Sequence, residues 1–199
     1  MTHRNGAIGV APLTGENLKT FFARDAVAVA HGLLGCHLLV DGTGGRITET
    51  EAYFPDDEAS HTFRGPTPRN GAMFGLAGNV YIYRIYGMHW CLNFVCHPGS
   101  AVLIRAVEPL AGEAVMADNR RRVLPRLQLT NGPAKVCQAL AVDKQWNGHD
   151  LHVAPLQLLI TPKLSDQKIT QTTRIGISRD ADRPWRFYET HNPFVSKHV

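Results

Sequence analysis

The chain has 199 residues, of which 44% are hydrophobic and 19% are charged. This length suits one domain, and the hydrophobic fraction is large enough for a folded core, which excludes a disordered chain. The net charge is +4, but residues 1–60 hold 4 basic and 8 acidic side chains, whereas the remainder holds 17 and 9. A basic majority of this kind suits a polyanion-binding surface, although many other enzymes share it.

Membrane insertion and export are not predicted. The most apolar stretch, Val27–Val40, contains two histidines and is shorter than the roughly 20 residues that a bilayer requires. Met1–Val10 lacks the charged and then apolar pattern of a signal peptide. The four cysteines show no Cys-x-x-Cys spacing, so the sequence predicts a soluble protein in a reducing compartment.

Taken in chain order, the first predicted elements are a helix and a hairpin. Thr14 and Asn17 are candidate N-caps of a helix whose apolar positions run from Phe21 to Leu34. Cys36–Asp41 and Arg46–Tyr53 are β-prone and flank a glycine-rich connection, which is typical of a β-hairpin.

A long loop and a second hairpin follow. Residues 54–79 are rich in proline and glycine, and a loop of this length in a compact domain is usually functional or disordered. Val80–Tyr86 and Trp90–Cys96 predict two strands that meet around Gly87, and Ala101–Val107 predicts a further strand.

The remaining chain predicts two helices and three strands. Residues 108–127 are expected to be helical and carry four arginines. Pro133 predicts the start of a helix over Ala134–Val142, because proline is tolerated in the first helical turn. The expected strands are Leu151–Ile160, Arg174–Ser178 and Arg186–Tyr188. The elements together predict a single α+β domain.

The second predicted strand carries two glutamates on one face. By the two-residue period of a strand, that face presents Ile47, Glu49, Glu51 and Tyr53. Solvent-exposed glutamates in a strand are common, whereas buried ones need a charged partner. Arg105 is the only charge in the strand Ala101–Val107, so the alternative is a carboxylate held beside this arginine.

Two further segments allow both a structural and a functional interpretation. The tyrosines of Val80–Tyr86 suit cross-strand packing or a stacking platform for nucleic-acid bases. Four candidate zinc ligands fall within nine residues, namely His89, Cys91, Cys96 and His97. Because both cysteines lie on one short strand rather than on a turn-bearing knuckle, no metal site is predicted.

An ordered series of motifs carries a family resemblance. The motifs are Glu49–Tyr53, Glu58–His61, Thr67–Asn70, Met73–Phe74, Tyr81–Met88, Asn93, Leu103–Leu110 and Asn131–Leu140. In this order they closely resemble the alkyladenine DNA glycosylase family, also called 3-methyladenine or methylpurine DNA glycosylases. The resemblance implies one domain over residues 1–199, with residues 1–14 as a flexible segment. It implies a curved mixed or antiparallel sheet flanked by helices, with a protruding β-hairpin that enters DNA.

The resemblance also implies an activity. Enzymes of this family act in base excision repair, where they flip damaged purines out of double-stranded DNA and hydrolyse the N-glycosidic bond, leaving an abasic site. The implied substrates are alkylated purines, with deaminated and etheno purines as further candidates, and no metal or organic cofactor is implied. A monomer is expected, located at the nucleoid in the cytoplasm of a prokaryote or in the nucleus of a eukaryote. The alternative is a damage-recognition module that binds without cutting. A lyase activity is not expected, because the resemblance places no lysine at the pocket.

Residue roles follow from the matching motif positions. Glu51 matches the general base that activates water, and Arg105 and the backbone carbonyl of Ile177 match the groups that hold this water. The flipped base is expected to contact Tyr53, His61, Tyr83 and Asn93, of which Asn93 sterically discourages the exocyclic amine of guanine. The DNA-inserting hairpin tip presents Tyr86, Met88 and His89. The expected contacts to the DNA backbone are Thr67, Arg69 and Lys135.

Overall fold

The computed structural model describes residues 16–151 and 153–198. Its eight strands form one sheet: β1 His37–Val40, β2 Thr43–Tyr53, β3 Val80–Ile85, β4 His89–Val95, β5 Ala101–Ala111, β6 Leu156–Leu159, β7 Ile169–Thr172 and β8 Arg186–Glu189. The main path runs β3-β4-β5-β2-β1-β6, and β8 pairs with both β2 and β7. Each of these pairings is antiparallel. The sheet curls into an antiparallel half-barrel, which confirms the expected single-domain α+β fold.

In the described part of the chain, four α-helices accompany the sheet: α1 Glu16–Phe22, α2 Ala26–Leu33, α3 Glu113–Arg120 and α4 Pro133–Ala139. Helix α2 packs on β2 and β5, and α4 packs on β4 and β5. The main core contains fully buried side chains from helix and sheet alike, including Phe22, Leu33, Phe94 and Ile104. Within the described residues, none of the helices combines the length and the apolar character needed to cross a bilayer.

The first predicted helix is two helices. Asp25 interrupts the apolar run, and its carboxylate accepts hydrogen bonds from the backbone N–H groups of Val27, at 2.9 Å, and Ala28, at 3.3 Å. An aspartate in this position satisfies N–H groups that a helix start leaves free, so a new helix begins here. Asn17 lies inside α1 rather than capping it, and Thr14 lies outside the described residues.

The β1–β2 connection is shorter than expected. Asp41 and Gly42 form a two-residue turn with φ values of 49° and 74°, the left-handed conformations that Asp-Gly favours in tight hairpins. The strand β2 therefore begins at Thr43 and includes Gly45. A Cβ atom at Gly45 would lie 1.8 Å from the carbonyl oxygen of Glu108, so close strand contact requires glycine there.

A β-bulge changes which residues of β2 share a face. The pairing of β2 with β5 shifts register on both sides of Glu49, and an extra residue in one strand reverses the alternation beyond it. Ile47 consequently packs in the main core, as Ala52 does, while Glu49 and Glu51 both turn towards Arg105. The prediction that Ile47 shares the face of the two glutamates is therefore wrong.

Three other predictions differ from the structure. Residues 108–111 continue β5, and α3 ends at Arg120 because Arg121 adopts a left-handed conformation, with φ of 52°. The predicted strand Arg174–Ser178 is a loop, whereas the strand β7 was not predicted. The strand predicted over Leu151–Ile160 is confined to β6. In each case pairing with a distant partner, rather than local β-propensity, determines where the strand lies.

Candidate active site

A cavity of about 570 Å³ lies between the β3–β4 hairpin, the start of α4 and the 175–177 loop. Most of the predicted site residues line it: Tyr53, His61, Arg69, Tyr83, Tyr86, His89, Asn93, Arg105, Lys135 and Ile177. The volume falls in the range of small-molecule sites, roughly 300–1,000 Å³. Residues from seven separate segments thus meet at one concave surface.

Glu51 lies directly behind the cavity wall. Its side chain is fully buried and accepts three hydrogen bonds: from the Tyr53 hydroxyl at 2.9 Å, from Arg105 Nη1 at 3.1 Å and from the Ile175 backbone N–H at 2.8 Å. All three donors belong to cavity-lining residues. Because a carboxylate offers about four acceptor positions, one remains for a further donor.

Arg105 joins Glu51 to a second buried carboxylate. Its Nε donates to Glu49 Oε1 at 2.9 Å, and Glu49 also accepts from Arg186 Nε at 2.7 Å and from the Ser196 backbone N–H at 2.6 Å. Burial lowers the pKa of Arg105, but Glu51 and Glu49 outweigh this and raise it above its ordinary value. The network contains two carboxylates and two guanidinium groups, so its charges balance.

Glu49, Arg186 and Ser196 were not predicted as site residues. The position of Glu49 two residues before Glu51 was a usable indication, since the two side chains share the Arg105 face of β2. The sequence around Arg186 gives no indication of a site. Arg186 reaches the network only because β8 pairs with β2, which places it opposite Glu51.

An aromatic wall, formed by Tyr81 and Tyr83 of β3, faces the loop that carries His61. The rings of His61 and Tyr83 meet edge to face with centroids 4.5 Å apart, and His61 Nδ1 lies 2.8 Å from the Tyr81 hydroxyl. Burial, with a smaller contribution from Arg69, lowers the pKa of His61. Burial also raises the pKa of Tyr81 to about 12. At neutral pH this pair is therefore an uncharged imidazole hydrogen-bonded to a phenol.

Two buried asparagine side chains donate hydrogen bonds to backbone carbonyl oxygens around this wall. Asn93 Nδ2 donates to the carbonyl oxygen of Tyr81 at 3.1 Å across the β3–β4 pair. Asn70 was not predicted as a site residue; its Nδ2 donates to the carbonyl oxygens of His61 at 2.7 Å and Gly65 at 3.0 Å. A single side chain thereby holds the loop in the turn that presents His61.

The hairpin tip is exposed. Tyr86 is 79% exposed and Met88 is 65% exposed, and the tight turn places Tyr86 in a left-handed conformation with φ of 52°. His89 is also exposed and begins β4. Large apolar side chains that stand in solvent mark an interaction surface when they lie together.

The three predicted backbone-contact residues occupy different places. Arg69 lines the cavity, whereas Thr67 lines an adjoining groove of about 420 Å³, which shares Ser60 and His61 with the cavity. Lys135 also lines the cavity, because it lies in the first turn of α4, and its Nζ donates to Asn131 Oδ1 at 2.7 Å. Burial and then Arg120 lower the pKa of Lys135. The expectation that no lysine lies at the pocket is therefore wrong.

Among the side chains of residues 16–151 and 153–198 that the structure describes, no three His, Cys, Asp or Glu groups come together as a metal site would need. All four cysteines are buried and free.

Comparison with known proteins gives the family. The family model of methylpurine-DNA glycosylase (MPG) matches residues 20–193. A Rhizobium etli protein named "Putative 3-methyladenine DNA glycosylase" is 61% identical over 191 residues, covering 96% of this chain and 94% of its own. Proteins of the same name from Agrobacterium fabrum and Methanoculleus marisnigri are 53% and 46% identical, covering 90% and 89% of this chain and 91% and 96% of theirs. The resemblance found in the sequence is thus confirmed, and the chain belongs to the methylpurine-DNA glycosylase family.

Proposed function

We propose that this DNA glycosylase flips damaged purines out of duplex DNA and hydrolyses their N-glycosidic bond with a water activated by Glu51. The observation that carries the proposal is the position of the buried Glu51 carboxylate behind the cavity of about 570 Å³, which an exposed aromatic hairpin borders. Extruding a base costs a few kcal/mol, and least for a damaged pair. Inserting Tyr86 into the vacated position offsets the lost stacking.

Cationic bases suit this cavity. Purines alkylated at N3 or N7 carry a positive charge, and tyrosine faces attract cations by roughly 0.5–2 kcal/mol. Tyr53 and Tyr83 both line the cavity. Burial raises the pKa of each hydroxyl above its ordinary range, so both rings stay neutral. The same positive charge makes the base a good leaving group, so we expect alkylated purines to be preferred over neutral deaminated or etheno purines.

The chemical step needs one base and one water. The water oxygen attacks C1′ while Glu51 takes a proton, the N-glycosidic bond breaks, and its electron pair leaves with the purine. Arg105 and the Ile177 backbone carbonyl are proposed to hold the water. As in glycoside hydrolysis, the Glu51 charge would also stabilise the oxocarbenium-like sugar. A module that only binds damaged DNA requires neither Glu51 nor Arg105. In such a module, binding alone would not offset the free-energy cost of burying these two charged groups.

Replacing Glu51 by glutamine tests the proposal. We expect Glu51→Gln to bind duplex DNA that contains a lesion but to lose at least about 10²-fold in single-turnover excision, the usual worth of a general base. The assay uses duplexes with 3-methyladenine, hypoxanthine or ethenoadenine, followed by alkaline cleavage at abasic sites. Excision by Glu51→Gln at the wild-type rate would rule out the assigned base.

Lys135 makes a glycosylase with lyase activity the second candidate, because this lysine is among the residues that line the cavity. A lyase forms a Schiff base with C1′, which borohydride reduces to a stable protein–DNA adduct. We expect no adduct, since Lys135 Nζ is held by Asn131 on the α4 side, whereas the proposed water lies at Glu51. We further propose that the protein acts as a monomer, at the nucleoid of a prokaryote or in the nucleus of a eukaryote.

A further inference from the structure

The 174–177 loop forms one side of the cavity without belonging to a helix or strand. Its Ile175 backbone N–H donates to Glu51 Oε1 at 2.8 Å, and residues 175–177 line the cavity. Gly176 takes a φ of 79° in this turn. The position of the Ile175 N–H group relative to the Glu51 carboxylate therefore depends on what anchors the loop.

Arg174 is that anchor, and its side chain is completely buried. Nη2 donates to Asp57 Oδ1 at 2.9 Å and to the Asp180 carbonyl oxygen at 3.2 Å, while Nη1 donates to Asp57 Oδ2 and to the Ala52 carbonyl oxygen at 3.1 Å. One guanidinium group thus ties the end of β2 to the loop after it and to the chain before β8. The planar fork of arginine suits this bidentate contact, which lysine cannot reproduce.

The same guanidinium packs against a second of the three donors to Glu51, Tyr53. It lies 4.6 Å from the ring centroid of Tyr53 and 5.0 Å from that of Trp185. The Tyr53 hydroxyl donates to Glu51 at 2.9 Å. Arg174 is therefore the chain neighbour of one donor to Glu51 and the packing partner of a second.

We propose that Arg174 and Asp57 are positioning residues: together they hold the Ile175 N–H and the Tyr53 hydroxyl on Glu51 and keep its carboxylate aimed at the attacking water. Stability alone is a weak reason for such a pair, because desolvation offsets most of the attraction within a buried ion pair. Bidentate geometry does supply directional control, which a carboxylate that must meet a water requires. The inference rests on the function proposed above.

The test compares Arg174→Lys and Asp57→Asn with a matched control. Arg46→Lys alters another arginine of the same sheet, whose Nε and Nη2 contact Glu108 Oε2 at 3.1 and 2.5 Å in a partly buried pair away from the cavity. Two quantities are measured on folded protein: the single-turnover excision rate at saturating 3-methyladenine duplex, and the Kd for abasic duplex. Asp57→Asn is isosteric and serves if Arg174→Lys does not fold.

We expect both site variants to lose about 10- to 100-fold in rate, the worth of a hydrogen bond to a charged group, with Kd changed less than threefold. Arg46→Lys should keep the wild-type rate per folded molecule even where it unfolds more easily. Wild-type rates in both site variants, or losses that parallel Kd, would overturn the positioning role. Failure of the proposed function looks different, because the wild type would then not excise the base or Glu51→Gln would excise it normally.

Discussion

Replacing Glu49 by glutamine removes one of the two negative charges from the buried network behind the cavity. Glu49 is fully buried and receives hydrogen bonds from Arg105, Arg186 and Ser196. Glutamine has a similar shape, but one carboxylate oxygen becomes an NH₂ group that faces these donors. Arg186 then has a neutral amide in place of the carboxylate that contacts its Nε in the structure.

The expected cost is large. Removing one partner of a buried ion pair destabilises by about 3–5 kcal/mol, against a total stability of roughly 5–15 kcal/mol for a domain. For a chain of this length each kcal/mol lowers Tm by about 2–4 °C, so we expect a decrease of roughly 6–20 °C. Glu108→Gln is the matched control, since the Arg46–Glu108 pair is partly exposed and such pairs contribute at most about 1 kcal/mol.

Urea and thermal unfolding of the wild type, Glu49→Gln and Glu108→Gln measure these differences. The two substitutions make the same chemical change, so the comparison isolates burial and the number of donors. If Glu49→Gln cost less than about 1 kcal/mol, or no more than Glu108→Gln, the network would not be the buried, mutually dependent cluster described here.

Three further predictions concern DNA and pH. Tyr86→Ala should leave the urea midpoint unchanged, because the side chain is 79% exposed, and should weaken binding to lesion duplex at fixed salt by about 1–3 kcal/mol; unchanged affinity would contradict insertion. Burial lowers the pKa of His31, His37 and His61 below the ordinary 6.5, so the unfolded chain binds more protons and stability should fall as pH decreases below about 6.5. Urea midpoints at pH 7.5 and 5.5 test this, and His61→Asn should reduce the difference between them. If four to six phosphates are contacted, log affinity against log salt should have a slope of roughly −4 to −5, whereas a slope near zero would exclude a phosphate-contacting surface.

The local structure around the site follows largely from the sequence. The two hairpins, the helix that begins at Pro133 and the long loop over residues 54–79 are all present, because each depends on turn chemistry and periodicity within a few residues. The ordered motifs also identified the family, and most of the residues they named line one cavity. The roles of those residues stay predictions until the variants are measured.

Two of the errors, the undivided first helix and the face assigned to Ile47, have a common cause. Asp25 ended a helix that its apolar neighbours would continue, and the bulge at Glu49 displaced Ile47 to the core. A capping carboxylate or one unpaired residue changes the free-energy difference between two local structures by about 1 kcal/mol, which is similar to the contribution of the local propensities. Local periodicity therefore does not decide between these alternatives.

By itself, the sequence determined the kind of protein: one α+β domain, a methylpurine-DNA glycosylase by family, with a tyrosine-bearing hairpin and a strand that presents Glu51. Only the tertiary structure decided how Glu51 is held, since Arg174 contacts Asp57 across 117 positions and Arg186 contacts Glu49 across 137. It also decided that Glu51 lies behind the wall and that Lys135 reaches the cavity. Buried charges need specific partners, and folding supplies those partners from segments whose sequences carry no local sign of their meeting.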